Sequence, residues 1–265
     1  MIQFFRKIRQ RLLTEGKVTR YLVYALGEIF LVVVGILIAL QINNWNEQRK
    51  QNVERQHLIS AILEDFEYNR DILLNNRLPS LNRALDQMEL FFHLIQQDTE
   101  LMSQAQLLPS AEVSVDSLRM LATPFFLSHS FNANLTSLNE ASSSGKLSLL
   151  KNRELFQEFT QFELRNREQQ NLSAEAIHAY YNGYLWEIRK TVAPDVLAGL
   201  NPMPGLSNAE YRDIMNQPLA RTALYNSQVI ESNKRRAYSD LLEHTDKIIS
   251  ILKEMLNEDA AGRQE

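Results

Sequence analysis

The sequence predicts an all-α protein: one N-terminal transmembrane helix that continues into a stalk, followed by an antiparallel helical bundle. Three observations carry that expectation. Tyr21–Ile42 is a 22-residue apolar run interrupted by a single charge, Glu28. Only 8 Gly and 7 Pro occur in 265 residues, so long stretches contain no breaker. Within those stretches apolar residues recur three and four positions apart, the spacing of one helix face.

Residues 1–20 come first. Six basic side chains stand against Glu15 there, whereas 22 basic residues face 30 acidic ones from position 41 onward. The acidic part has no use for a polyanionic nucleic-acid backbone, so nucleic acid is excluded as a partner. Phe4, Phe5, Ile8, Leu12 and Leu13 alternate with Arg and Lys at helical spacing. This tail reads either as an amphipathic segment lying on an anionic leaflet or as a plain basic flank.

The run at 21–42 would extend about 33 Å as a helix, enough to cross a bilayer's hydrocarbon core. A cleaved signal peptide is the competing reading. It calls for a shorter apolar region and a small-x-small cleavage site, neither of which is found before Asn43 and Asn44. The expectation is therefore an uncleaved signal anchor. The basic flank places the N-terminus in the cytoplasm and residues 45–265 outside it, in the periplasm of an inner-membrane protein. Tyr21, Tyr24 and Trp45 sit where aromatic anchors at the membrane interfaces belong. Glu28, Val32, Gly35 and Ala39 share a face, with Gly35 and Ala39 in a small-x-x-x-small pattern. A buried carboxylate is costly unless protein meets it, so that face predicts a helix–helix contact within the membrane. The partner would be a second copy of the chain or another envelope membrane protein. A protonated Glu on a lone anchor is the plain alternative.

Helical spacing continues through Ile59, Ile62, Phe66, Leu73 and Leu74, which predicts a stalk over 43–77. Pro79 then opens a second helix carrying Leu81, Leu85, Met88 and Phe92 on one face. Residues 98–113 read as a loop, and a broken helical region runs to Gly145 with an interruption at Pro124. Gly145 ends a helix in a left-handed conformation. Leu155, Phe159, Phe162, Ile177, Tyr181, Tyr184 and Ile188 predict one long helix over 151–192. Pro194, Pro202, Pro204 and Gly205 mark a loop, and Ser207 with Glu210 forms a capping box. After Pro218 a last helix reaches about 257, with Ile230, Ala237, Leu241, Ile248, Leu252 and Met255 as its core stripe. The domain thus covers 78–257, and 258–265 read as a disordered tail.

Several patterns touch on chemistry. The absence of Cys removes disulfides and thiolate metal sites. Glu54/His57 and Glu175/His178 have the Glu-x-x-His spacing of di-metal helical bundles, with Glu89 and Glu243 as the further acids such a site needs. Coincidence is the simpler account, and no metal or other cofactor is expected. Ser143-x-x-Lys146 lacks the companion motifs of the penicillin-binding enzymes, and Gly145-Lys146 lacks the first glycine and the hydroxyl of a phosphate-binding loop. Tyr180, Tyr181, Tyr184 and Trp186 could face a ligand, although aromatics at such spacing usually form core.

Phe4-Phe5-Arg6-Lys7-Ile8-Arg9, Gly27-Glu28-Ile29 and the stretch from Gly35 to Glu47 resemble the opening of an uncharacterised single-span membrane-protein family of Bacteroidota. Leu138–Leu147 resembles that family's middle region. The resemblance implies an envelope location and supplies no activity or ligand. Taken together, the chain reads as a non-enzymatic, membrane-anchored interaction or scaffold module. A ligand-sensing bundle signalling through the stalk is the alternative, and a di-metal bundle is the third. A pocket lined by the 180–186 aromatics would favour sensing.

Overall fold

The computed structural model describes residues 18–96, 114–192 and 207–261, with side chains for 22–95, 114–189 and 207–261. Most of the basic tail, the expected loops at 98–113 and 194–205, and the side chain of Tyr21 lie outside those residues. Every described regular element is helical. In order these are α1 (Val18–Ile72), a π-helical turn (Leu73–Arg77), α2 (Leu78–Gln96), α3 (Val115–Ala122), a 3₁₀ turn (Thr123–Phe126) and α4 (Thr136–Ser143). A second 3₁₀ turn (Lys146–Leu149), α5 (Arg153–Asn182), α6 (Tyr184–Val192), α7 (Asn208–Asn216) and α8 (Pro218–Ala261) follow. The chain divides into two units, Met1–His57 and Leu58–Glu265, and α1 contributes to both.

In the first unit the described residues form α1 alone. Its most apolar 18-residue window has a mean hydropathy of 2.6 and is 0% buried. Large side chains such as Phe30, Leu31 and Val32 are 67%, 70% and 58% exposed. One helix among the described residues is thus long and apolar enough to cross a membrane.

The second unit is built around α8. Its apolar stripe, including Ile230, Ala237, Leu241, Ile248, Leu252 and Met255, is buried as the spacing predicts. On one side α8 runs antiparallel to α5, as the pairs His244–Glu158 at 2.7 Å and Asp240–Arg165 at 3.9 Å show. On the other it runs antiparallel to the end of α1 and to α2, with Asp246 meeting Arg70 at 2.5 Å and Lys253 meeting Glu67 at 2.7 Å. The pairs Asp240–Arg165, Asp246–Arg70 and Lys253–Glu67 are half-exposed and contribute little to stability. The apolar core between the helices carries the fold. Phe66 lies 5.7 Å from Phe159 and 5.0 Å from Phe162, in geometries aromatic pairs prefer. At the far end of α2, Arg212 and Asn216 of α7 donate to the carbonyls of Leu94 and Ile95, groups a helix terminus leaves without partners.

Four expectations need correction. Pro79 does not separate two helices, because the chain stays helical from Val18 to Gln96. Proline cannot supply the amide hydrogen that the turn before it would use, and the ladder widens there instead, with the Leu78 amide donating to Leu73. The long helix over 151–192 is split at Gly183, which is extended (φ −100°, ψ −178°). The stripe assigned to that helix holds at Leu155, Phe159, Phe162 and Ile188 but not at Ile177, Tyr181 and Tyr184, which are exposed while Tyr180 and Leu185 face inward. The last helix runs to Ala261, past the expected end near 257. By contrast, Gly145 adopts the expected left-handed conformation (φ 75°), and both halves of the Ser207–Glu210 capping box are formed. That box holds the Glu210 carboxyl below its ordinary range, chiefly through the Ser207 amide.

Gly183 is required by space rather than by conformation, since its extended backbone is one that any residue adopts. A Cβ there would lie 2.4 Å from the Ala179 carbonyl oxygen, which backbone rather than a movable side chain supplies. Gly183→Ala should therefore destabilise the domain by about 1–3 kcal/mol. Thermal unfolding of the purified chain measures this, and an unchanged midpoint would show that the α5–α6 break is not constrained.

Candidate functional site

Between the first 3₁₀ turn and α4, residues 127–135 form no regular structure, yet they pass between helices. A segment of this kind must find partners for its backbone polar groups. Side chains from three helices provide them. Asn69 of α1 donates to the Asn134 carbonyl and accepts from the Asn134 amide, both at 2.7 Å. Asp65, one helical turn earlier, accepts from the Asn134 side chain and the Ser137 amide, again at 2.7 Å. Gln169 of α5 donates to the Phe131 carbonyl at 2.9 Å, and Tyr238 of α8 donates to the His129 carbonyl at 2.6 Å. The Phe131 ring is buried edge-on against Tyr238. Residues 127–135 are in effect a strap held by the bundle.

Where the strap crosses α8, a charged pair lies in the core. Lys234 is 0% exposed and Glu231 1% exposed, and Nζ reaches Oε1 at 2.9 Å. Nζ also donates to Ser128 Oγ at 3.2 Å. Burial lowers the Lys234 amine below its usual range, opposed by the Glu231 carboxylate. The second carboxylate oxygen, Oε2, lies 3.4 Å from His129 Nδ1 but makes no hydrogen bond among the described residues.

Beside Glu231 is a cavity of about 320 Å³. Phe125, Phe126, Ile177, Leu185 and Ile230 give it apolar walls, and Glu231, Tyr180 and Ser130 give it polar ones. Tyr180 is buried, and its hydroxyl has no hydrogen-bond partner among the described residues. The Arg189 guanidinium stands 5.1 Å from the centre of the Tyr180 ring.

The residues singled out in the sequence fall as follows. Of the four aromatics, Tyr180 and Tyr181 line the cavity, whereas Tyr184 and Trp186 do not. Trp186 is nevertheless 6.0 Å from Tyr180. Val32, Gly35 and Ala39 are exposed, Glu28 is half-buried, and a Cβ on Gly35 would meet nothing within 4 Å. Trp45 is 65% exposed and Tyr24 half-buried. Glu175, His178, Glu89 and Glu243 are exposed on their helices, as is His57 in the first unit. Among the described residues no group of three or more His, Asp or Glu is placed to hold a metal.

Sequence reasoning missed Asp65, Asn69, His129, Gln169, Glu231 and Lys234. A signal existed in α8: the core stripe leaps from Ile230 to Ala237, and Lys234 occupies the missing step. A polar residue at an expected core position marks a polar network as readily as a broken pattern.

These features define a class: an all-α chain in which an exposed apolar helix precedes a helical domain with a buried polar centre. The chain belongs to the DUF6090 family, described as a family of unknown function, whose profile matches residues 28–188. That range contains the Gly35–Glu47 and Leu138–Leu147 stretches but not Phe4–Arg9. Comparison with curated proteins and with solved structures gave no match.

Proposed function

We propose that the protein is a single-span inner-membrane protein whose helical domain serves as a non-enzymatic interaction or scaffold module on the periplasmic side. The observation that carries this reading is the apolar window of α1, hydropathic at 2.6 and 0% buried. So long an exposed apolar surface is unfavourable in water and at home in lipid. The basic flank of residues 1–20 supports the orientation.

Within the span, Glu28, Val32, Gly35 and Ala39 of α1 fall within about 60° of one another at 100° per residue and so share one face. A second copy of the chain, or another membrane protein, would pack on that face. Crosslinking in native membranes tests this. Gly35→Ile should reduce crosslinking most, through its bulk, and Glu28→Leu should weaken it by about 0.5–2 kcal/mol. Glu28→Gln should have the least effect, since the amide still donates and accepts. Equal crosslinking in all three variants and the wild type would reduce the segment to an anchor.

A further inference from the structure

We infer that the cavity beside Glu231 and Tyr180 is a binding site for a small uncharged molecule with a hydrogen-bond-donating head, such as a phenol, alcohol or amide, and an apolar body. The site stands apart from the membrane reading, since every residue in it belongs to the second unit. Its volume of about 320 Å³ falls at the small end of ligand-sized cavities.

Two buried polar groups point to an occupant. Glu231 is 1% exposed and Tyr180 8% exposed, both line the cavity, and Glu231 Oε2 and the Tyr180 hydroxyl make no hydrogen bond among the described residues. Groups buried this far are ordinarily paired, because leaving them unpaired is costly. A ligand donor on Oε2 and a ligand acceptor or donor on the phenol would satisfy both.

Charge decides the class. The carboxylate already has Lys234 at 2.9 Å and His129 at 3.4 Å, and Arg189 occupies a face of Tyr180. A cationic ligand would gain little from a carboxylate already paired with Lys234 and would meet the Arg189 guanidinium. An anionic ligand would face Oε2 directly, with Lys234 engaged elsewhere. A neutral donor meets neither obstacle, and the walls of Phe125, Phe126, Leu185 and Ile230 suit an apolar body.

The test uses the full chain in detergent, with 4-methylphenol, benzylammonium and benzoate as probes of similar size, read by saturation-transfer NMR. Saturable binding of 4-methylphenol is expected, with each charged probe at least about tenfold weaker. Tyr180→Phe should weaken the phenol about fivefold through loss of one hydrogen bond. Ala176→Phe should fill the cavity and abolish saturable binding. If thermal unfolding shows Ala176→Phe to be misfolded, Ile177→Trp at the exposed rim replaces it with the same expectation. The proposal is overturned if 4-methylphenol does not saturate, if cavity filling leaves its binding unchanged, or if Tyr180→Phe has no effect. It is also overturned if either charged probe binds as tightly as the phenol.

Discussion

Glu231→Leu is expected to lower the unfolding free energy of the helical domain by about 3–5 kcal/mol, the largest effect of any single change considered. The reason is what it leaves behind. Lys234 is fully buried, and apart from Glu231 it donates, among the described residues, to Ser128 Oγ. Without the carboxylate the ammonium must stay charged in a poor medium or lose its proton. Lys234→Met should be damaging for the mirror reason, leaving the buried Glu231 carboxylate without its ammonium partner. The double variant Glu231→Leu/Lys234→Met should recover most of the loss, because a buried ion pair replaced by apolar side chains of similar volume is often neutral. Denaturant unfolding of the four proteins, compared as a double-mutant cycle, gives the coupling. Single variants within about 1 kcal/mol of the wild type would mean that the pair is reached by water.

Asp65→Ala should come next, at about 2–4 kcal/mol. Its carboxylate accepts from the Asn134 side chain and from the Ser137 amide, and its loss leaves two part-buried donors without an acceptor. Asp65→Asn should be intermediate, since one oxygen still accepts while the new amide opposes one of the donors. The denaturation midpoint should shift at constant slope. Limited proteolysis should meanwhile show faster cleavage within 127–135 than elsewhere. Unaltered cleavage there would place the strap's stability in its apolar anchors, chiefly Phe131.

What was legible in the sequence followed from periodicity and local chemistry. The stripe of α8, the cap at Ser207 and the left-handed Gly145 each depend on residues a few positions apart, and each is present as read. The failures have separate physical sources. Pro79 looked like a terminus because a missing amide hydrogen usually ends a ladder, but a π-turn offers another way to absorb it. One glycine in a periodic stretch is weak evidence of a break, and the space that excludes a Cβ at Gly183, against the Ala179 carbonyl, exists only once the backbone has turned. The cavity was half legible. Helical spacing marks Tyr180 and Tyr181 as candidate ligand-facing aromatics, yet Glu231 and Ser130 line the same cavity from 50 residues or more away in the chain. Pairing of that kind leaves no local trace, because a side chain that answers a distant carbonyl looks the same in sequence as one that answers water.

The strap also constrains the order in which the molecule can assemble. Its partners lie 65 residues before it at Asn69, 38 residues after it at Gln169 and 109 residues after it at Tyr238. Local turns can form in microseconds, but these contacts each require a long loop to close first. Residues 127–135 have no hydrogen-bonded ladder of their own to hold them meanwhile. They therefore become ordered only when α1, α5 and α8 have already met, and until the C-terminal helix arrives the strap's polar backbone and Phe131 remain open to water. Completion of the core is in this sense a late, three-way event, set by the meeting of helices far apart in the chain.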